Sequence, residues 1–394
     1  MRTILFLILI FLLISCKKAQ VLPYNGEVTN IPWADTSRNH PKNDAFLALL
    51  KKYQKKGLPG ISLLVRDRYG CWVGATGKAD IGKDKNFQPG TISKAASITK
   101  LLVGTMVFRL MEDSAISGVG FAMLDRKISE ILPSSVTGHL PNGHLITLGQ
   151  CMKHETGIPD VIEQDAFYLA VLNQPNHKWK PEELLQFIYD KQPLFHPSDT
   201  AIYSNTNTIL VTMAIELLTN QPHDQLLKKY VFQPLGMNDT YYQWHDILPE
   251  NVAQGYFDLY NNNTIVNVSN LVTGSGNGYG GVYSNLFDLY KFGNALLWNK
   301  TLLQPSSLNR MMQTGKTDGN NRYGYGIQQS YLDLGSDFGW GHKGRDLGYT
   351  ANLFYFPAKG VLQIYFVNYG TDSKSNLRQV FYEFQDELLR ISLQ

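Results

Sequence analysis

The chain of 394 residues has no apolar run of the length that a transmembrane helix needs, and no large excess of positive or negative charge. Its N-terminal apolar run covers only residues 4–14, which is short for a transmembrane helix. The formal net charge is +3, and no long run of lysine and arginine follows that leader, which argues against nucleic-acid binding. Internal repeats and low-complexity blocks are also lacking.

Cysteine is scarce, with three in the whole chain and no Cys-x-x-Cys motif. Cys71 precedes the apolar pair Trp72-Val73, and Cys151 stands beside Met152. These apolar surroundings favour two buried free thiols. A disulfide between them in an oxidising compartment is the alternative, which spacing alone does not decide.

Three common catalytic signatures are missing or incomplete. The absence of Gly-x-Ser-x-Gly argues against an α/β-hydrolase, although a Ser-His-Asp triad with His154 or His342 as base stays open. His154-Glu155 is not completed to His-Glu-x-x-His, so we expect no metal and no other cofactor. Residues 315–317, Gly-Lys-Thr, do not end a phosphate loop, because Arg310 replaces its first glycine.

The N-terminus has the features of an export signal. Residues 4–14 fit its hydrophobic region, and Leu13-Ile14-Ser15-Cys16 resembles a bacterial lipobox, in which the cysteine is lipidated. We therefore expect a signal peptide over 1–15 and a lipid-anchored tether over 16–40. The protein would be an exported bacterial lipoprotein, anchored to the membrane through Cys16 and facing the periplasm or the cell surface. An ordinary cleaved signal and an uncleaved anchor are the alternatives.

The rest of the chain has a globular composition, with 43% hydrophobic and 18% charged residues. Strand-like segments lie near both chain ends, and a mostly helical stretch lies between them. The elements that periodicity and turn signals predict are a helix over 43–56, strands over 60–67 and 71–76, a helix after Ser97, a helical insertion within 112–270, strands over 349–356 and 361–368, and a closing helix over about 376–391.

Ser97-Ile98-Thr99-Lys100 opens the apolar helix and carries the first chemical signal. Positions three apart share one face of a helix, so the Lys100 amine would lie beside the Ser97 hydroxyl. A nucleophile with a base one turn away is what acyl transfer requires. The spacing alone is weak evidence, because Ser15 and Lys18 repeat it at the end of the leader.

Two later triplets follow in the chain. Tyr203-Ser204-Asn205 precedes an apolar helix; its pattern recurs at 260–262 and 283–285, but without the framing of residues 194–197. His342-Lys343-Gly344 comes just before a strand, whose exposed backbone would bind a substrate by strand addition.

These three motifs, in this order, resemble those of the penicillin-recognising serine hydrolases of the class C β-lactamase type, which include D-alanyl-D-alanine carboxypeptidases, D-aminopeptidases and related esterases. The resemblance spans about residues 45–390. It implies an α+β, β-lactamase/transpeptidase-like domain over 41–394, with an antiparallel sheet flanked by helices. The α/β lobe would take about 41–112 and 271–394, and an all-helical lobe about 113–270. Further matching segments are 124–128, 132–133, 146–148, 154–158, 234–237 and 280–284.

The resemblance also implies catalytic roles. Ser97 would attack a carbonyl and form an acyl-enzyme. Lys100 would act as base, either with a pKa lowered by burial or together with Tyr203, which would carry the proton to the leaving group.

Four further residues are expected to bind substrate. Asn205 would hold the substrate amide, and the backbone N–H groups of Ser97 and Arg345 would form an oxyanion hole. His342 would orient Tyr203 or contact a substrate carboxylate, and Gly344 completes the third motif.

The chain departs from the family pattern at several points. Glu155 replaces a usual threonine, residues 197–199 replace a Pro-Gly turn, and residues 113–121 look like an insertion near the cleft. His342 stands where efficient β-lactamases have lysine, which indicates the peptidase and esterase branch, and Arg345-Asp346 is unusual.

We therefore expect hydrolysis of peptides, amides or esters of the D-Ala-D-Ala or short-acyl type. A true β-lactamase, or a surface receptor that binds penicillin or peptidoglycan without turnover, is the alternative. The expected partners are a small-molecule or peptide substrate and, through the N-terminal lipid, the membrane; the sequence does not predict the oligomeric state.

Overall fold

The computed structural model describes residues 37–371 and 375–394. The predicted signal peptide, Cys16 and most of the predicted tether lie outside these residues. The tether prediction was wrong at its end, because residues 37–40 are folded. Ser37 is buried and accepts a hydrogen bond from the Val73 N–H, and the buried His40 ring contacts Asp67 at 3.0 Å. None of the helices within the described ranges has the length and apolar content to cross a membrane.

Twelve α-helices lie in the described part of the chain. Two of them continue as π-helical turns, α9 over Lys228–Phe232 and α10 over Asn294–Trp298. The helices are α1 (Asn43–Lys55), α2 (Ile98–Glu112), α3 (Ser114–Ser117), α4 (Ser134–Thr137), α5 (Leu148–Met152), α6 (Asp165–Asn173), α7 (Pro181–Leu185), α8 (Asn205–Thr219), α9 (His223–Leu227), α10 (Leu286–Gly293), α11 (Pro305–Met311) and α12 (Arg378–Leu393).

The strands are mostly short, and the four longest come from the two ends of the chain. They are β1 (Gly60–Asp67), β2 (Gly70–Asp80), β3 (Lys85–Asn86), β4 (Ser93–Lys94), β5 (Tyr241–Tyr242), β6 (Tyr256–Phe257), β7 (Val266–Asn267), β8 (Val282–Ser284), β9 (Thr317–Asp318), β10 (Asn321–Tyr323), β11 (Gln328–Ser330), β12 (Gly339–Asp346), β13 (Tyr349–Phe356) and β14 (Val361–Val367).

Nine of the strands form one antiparallel sheet in the order β3-β2-β1-β14-β13-β12-β11-β10-β9. In the centre of this sheet, the pairing of β1 with β14 joins the N-terminal and C-terminal parts of the chain. The predicted antiparallel sheet flanked by helices is therefore confirmed. The strand predicted over 60–67 coincides with β1.

Both faces of the sheet are covered, which explains why its central strands read as continuous apolar runs. On β1, Leu64 faces a core shared with α2, whereas Leu63 and Val65 face a second core shared with α1 and α12. Helix α2 is buried on almost every side, as expected for a helix without a polar face. This burial fixes its first turn, and hence Ser97, within the structure.

The segment 113–270 differs in two ways from the all-helical lobe that the resemblance implied. Besides α3–α9 it contains the two-residue strands β5–β7, and β5 pairs with β8 outside the segment. Residues 113–121 follow the C-terminal end of α2, which a 15-residue helix places about 20 Å from Ser97. The prediction that this stretch lies near the cleft was therefore wrong.

Cys71 and Cys151 are both buried thiols, and no disulfide joins them, as the sequence predicted. Burial raises the pKa of the Cys71 thiol to about 11 and that of the Cys151 thiol to about 12. Neither thiol has the low pKa that nucleophilic cysteines need. Both are structural parts of the core.

Candidate active site

Ser97 stands at the start of α2, directly after a strained residue. Ala96 has a left-handed backbone with φ of +48°, an uncommon conformation for alanine. The turn is held by hydrogen bonds on both sides, because the Ala95 N–H donates to the Val282 carbonyl and the Thr99 hydroxyl to the Ala96 carbonyl. Backbone strain of this kind is typical of functional sites.

Lys100 lies one turn into α2, as predicted, and is only 2% exposed. Its Nζ is 3.0 Å from Ser97 Oγ, 2.6 Å from Asn205 Oδ1 and 2.7 Å from the Tyr279 carbonyl oxygen. Burial lowers the pKa of Lys100 to about 7, although the Asp160 and Asp346 carboxylates oppose the change. A large share of Lys100 is therefore neutral near pH 7.

The three contacts of Lys100 decide where a neutral amine directs its lone pair. Asn205 Oδ1 and the Tyr279 carbonyl oxygen only accept hydrogen bonds, so they take the two N–H groups of the neutral amine. The lone pair then remains for the third neighbour, the Ser97 hydroxyl. The geometry is that of a general base positioned on its nucleophile.

Asp160 supports this arrangement, and the sequence did not single it out. Its carboxylate accepts a hydrogen bond of 2.8 Å from Asn205 Nδ2, which turns Asn205 Oδ1 toward Lys100. Burial raises the pKa of Asp160 to about 6. The clue to Asp160 in the sequence was its position two residues after Ile158, which ends the family-like turn 154–158.

Tyr203 is half-buried above the amine of Lys100, whose Nζ lies 4.9 Å from the centre of the phenol ring. The His154 ring packs against Tyr203 at 4.5 Å between centroids. Asp318 fixes the tyrosine from the sheet edge, since one carboxylate oxygen accepts from the Tyr203 N–H at 3.1 Å and from the Tyr323 hydroxyl at 2.9 Å. Neither Asp318 nor Tyr323 was predicted.

The two histidines that the triad hypothesis offered as bases are both buried and neutral. His342 Nδ1 donates to the Lys343 carbonyl at 2.6 Å, and burial lowers the pKa of His342 to about 3. His154 Nδ1 accepts from the Ser204 N–H, and burial likewise lowers its pKa. His342 lies 6.1 Å from Tyr203 between ring centroids, on the wall of the same cleft. Lys100 is thus the basic side chain that meets Ser97 within the described residues.

Strand β12 presents part of one edge to this site. Its pairing with β11 reaches only to Gly341, and beyond that point the Gln328 side chain accepts from the Lys343 N–H at 3.1 Å. Backbone N–H groups of alternate residues point to the same edge of a strand, so the Arg345 N–H points the same way. A methyl group added to Gly344 would lie 2.2 Å from the Ala95 carbonyl oxygen. Gly344 is thus the point of close approach between β12 and the Ser97 turn.

The side chain of Arg345 has a different environment from its backbone. The guanidinium lies 5.5 Å from the centre of the Tyr382 ring on α12, while the Lys343 ammonium lies over Tyr331. The positive charge of Arg345 lowers the pKa of Tyr382 against the opposing effect of burial. The expected substrate-binding role of Arg345 therefore rests on its backbone.

A cleft of about 740 Å³ opens over these residues. Its lining includes Ser97, Tyr203, Asn205, His342 and backbone or side-chain atoms of Arg345. The structure therefore brings the predicted motif residues into one space, with Lys100 directly beneath Ser97. Gly344 lies against Ala95.

The described residues contain no group of three or more potential metal ligands. Glu155, half of the incomplete zinc signature, instead accepts a hydrogen bond from the Lys316 N–H at 3.2 Å. Ser198, in the altered turn 197–199, accepts one from Gln150 Nε2 at 2.8 Å. Through these hydrogen bonds, the two residues that depart from the family pattern connect neighbouring loops.

Two structures of known proteins resemble this one over most of its length. A D-stereospecific amidohydrolase from Streptomyces sp. has a TM-score of 0.74 and 26% identity, covering 87% of this chain and 98% of that one. A D-amino acid amidase from Ochrobactrum anthropi SV3 has a TM-score of 0.73 at 23% identity, covering 88% and 98%, and shows the shared fold.

Sequence relatives match over shorter parts. The unguisins hydrolase ungD of Aspergillus violaceofuscus is 25% identical over 206 residues, which are 51% of this chain and 35% of that protein. The D-alanyl-D-alanine-carboxypeptidase/endopeptidase AmpH of Escherichia coli K12 is 25% identical over 186 residues, 47% of this chain and 46% of that protein. The matches thus span less than half of these two relatives. The sequence model of the β-lactamase family, however, matches residues 46–383, and this chain belongs to that family, as its three motifs predicted.

Proposed function

We propose that this protein is a serine hydrolase that forms an acyl-enzyme at Ser97. The observation that carries the proposal is the contact of 3.0 Å between Ser97 Oγ and a buried Lys100 amine whose pKa is lowered to about 7. A serine hydroxyl is a weak nucleophile until a base takes its proton, and a largely neutral amine is suited to do so.

In the first step, the Ser97 proton passes to the Lys100 lone pair while Oγ attacks the substrate carbonyl carbon. The carbonyl oxygen becomes an oxyanion, which the N–H groups of Ser97 and Arg345 stabilise. One such donor typically contributes about 3 kcal/mol in the transition state. The close approach of Gly344 to Ala95 supports this pairing of donors.

In the second step, the carbon–leaving-group bond breaks and the leaving group takes a proton. The Tyr203 hydroxyl donates that proton, and the nearby Lys100 ammonium stabilises the phenolate that results. Water then attacks the acyl-enzyme and gives a proton to the Tyr203 phenolate. As the bond between Ser97 Oγ and the acyl carbon breaks, the Lys100 ammonium returns a proton to Oγ, which releases the acid and restores neutral Lys100. Neutral His154 packs against Tyr203 without adding a charge.

For substrates, we propose peptides, amides or esters of the D-Ala-D-Ala or short-acyl type. Two proteins that resemble this chain support the proposal: one is a D-stereospecific amidohydrolase and the other, AmpH, is a D-alanyl-D-alanine-carboxypeptidase/endopeptidase. His342 in place of lysine in the third motif supports hydrolysis of peptides and esters over efficient destruction of β-lactams.

A parallel assay tests the proposal. Purified protein is given nitrocefin, a D-Ala-D-Ala peptide, a D-amino-acid amide and p-nitrophenyl acetate, and product per enzyme is followed over time. We expect many turnovers on at least one peptide, amide or ester, and slower turnover of nitrocefin. A single burst of product would instead indicate a receptor. Fastest turnover of nitrocefin would indicate a β-lactamase. No release of product from any of the four substrates would contradict the proposal.

We also propose that Cys16 is lipidated and anchors the exported protein to a membrane, a proposal that rests on the lipobox-like residues 13–16. Expressed with its leader in a bacterium, the wild-type protein should partition with membranes and carry the mass of a lipidated cysteine at its N-terminus. Cys16→Ser should lack that mass and lose the lipid anchor. A wild-type protein whose Cys16 carries no lipid mass would contradict lipidation.

A further inference from the structure

Helix α6 carries more exposed apolar surface than a solvated helix needs. Phe167 and Val171 are buried, but Tyr168, Leu169 and Leu172 are 38, 61 and 47% exposed. Leaving such side chains in water forgoes the free energy that their burial would supply. Contiguous apolar exposure of this kind is typical of a binding surface.

Two of these three exposed side chains belong to the cleft over Ser97. Tyr168 and Leu172 line it, together with the apolar residues Ile162, Phe257 and Leu259 and with the acidic Glu163, just before the helix, and Asp165 at its start. Leu169 does not contribute to this lining. One face of α6 is therefore continuous with the proposed catalytic residues, and the exposed Leu169 beside it provides an internal comparison.

Helix α6 shares the cleft with the residues proposed to bind the substrate. The helix begins five residues after Asp160, whose carboxylate binds Asn205. Asn205 is the residue proposed to hold the substrate amide. The apolar face of α6 thus extends the cleft beyond the residue proposed to hold the substrate amide.

We propose that α6 forms an acyl-chain subsite, so that the enzyme prefers substrates whose acyl part carries an extended, uncharged apolar group. From Tyr168 to Leu172 the helix rises about 6 Å, enough to lie along several methylene groups. The cleft volume of about 740 Å³ also leaves room well beyond an alanyl methyl. The inference rests on the proposed function and adds the class of acyl group.

A series of p-nitrophenyl esters tests this subsite with the leaving group held constant. The full-length protein is given the acetate, butyrate and hexanoate, and kcat/KM is measured for each. Burial of each added methylene should raise kcat/KM about fourfold. Leu172→Asp should reduce the ratio of hexanoate to acetate kcat/KM about tenfold, because a carboxylate then faces the chain.

Leu169→Asp is the matched control, with the same substitution on the same helix outside the cleft lining. It should leave the hexanoate-to-acetate ratio at the wild-type value. Leu172→Ala, which adds no charge, provides a second variant, and it should lower the ratio by a smaller factor. Circular dichroism of each variant checks that α6 and the rest of the fold are retained.

The outcomes separate this inference from the proposed function. If the acetate is hydrolysed in a Ser97-dependent manner but kcat/KM does not rise with chain length, the subsite is refuted and the hydrolase stands. Equal effects of Leu169→Asp and Leu172→Asp on the ratio would refute it as well. If Ser97→Ala hydrolyses every ester as fast as wild type, the proposed function fails and the subsite with it.

Discussion

Ser97→Ala is expected to abolish acyl-enzyme formation and to lower kcat by about 10⁴-fold or more, the scale found when a catalytic serine is removed. The hydroxyl oxygen is the atom that forms the covalent bond, and no other atom of the site replaces it. Folding should be little affected, since alanine is a good helix residue and Ser97 makes no side-chain capping hydrogen bond in α2.

Intact-protein mass spectrometry after incubation with a slowly deacylated substrate or penicillin measures this effect. Wild type should gain the mass of one acyl group, and Ser97→Ala should gain none. Ser306→Ala removes an exposed serine in α11 and serves as the matched control, which should label like wild type. Labelling of Ser97→Ala at the wild-type stoichiometry would show that another residue is the nucleophile.

Lys100→Met should slow acylation of Ser97 about 10³-fold, which lies within the usual contribution of a general base. Methionine fills a similar volume but offers no lone pair of comparable basicity. The variant also leaves Asn205 Oδ1 and the Tyr279 carbonyl without their buried donor, at a cost of about 1–3 kcal/mol each. We therefore expect a lower melting temperature together with the loss of activity.

The pre-steady-state release of p-nitrophenol measures the acylation rate directly. Lys100→Arg separates charge from basicity, because arginine keeps a positive charge and does not deprotonate in proteins. It should be as slow as Lys100→Met. Lys51→Met, on the exposed face of α1, is the control and should acylate at the wild-type rate. Acylation by Lys100→Met within tenfold of wild type would mean that another group is the base.

Much of the site could be predicted because its central pair is local. Ser97 and Lys100 are three residues apart on one helix, so helical periodicity alone places the amine beside the hydroxyl. The strands that scaffold it, β1, β13 and β14, also carry strong local signals of β-branched and aromatic residues.

The supporting contacts could not be predicted in the same way. Asp160 meets Asn205 across 45 positions, and Asp318 meets the Tyr203 backbone across 115. Both carboxylates come from segments whose place depends on how the chain packs as a whole. The contact of Lys100 with Tyr279 involves a backbone carbonyl, which no side-chain pattern indicates.

The environment of the Arg345 side chain, in contrast, had a signal in the sequence. Successive side chains on a strand point to opposite faces, so Lys343 and Arg345 share one face while His342 and Gly344 share the other. His342, Lys343 and Arg345 all contribute to the lining of the catalytic cleft, but the Arg345 guanidinium lies over the Tyr382 ring of α12. Applying this alternation to β12 would have separated the backbone role of Arg345 from its charge.

The pH dependence of the acylation rate tests the central claim, that neutral Lys100 takes the Ser97 proton, most directly. Protonated Lys100 has no lone pair, so the rate should fall about tenfold per pH unit below a pKa of about 7 and level off above it. The Asp160 carboxylate favours the ammonium form, so Asp160→Asn should move this limb to lower pH. A rate that does not change between pH 5 and pH 8, or a limb that Asp160→Asn moves upward, would contradict the account.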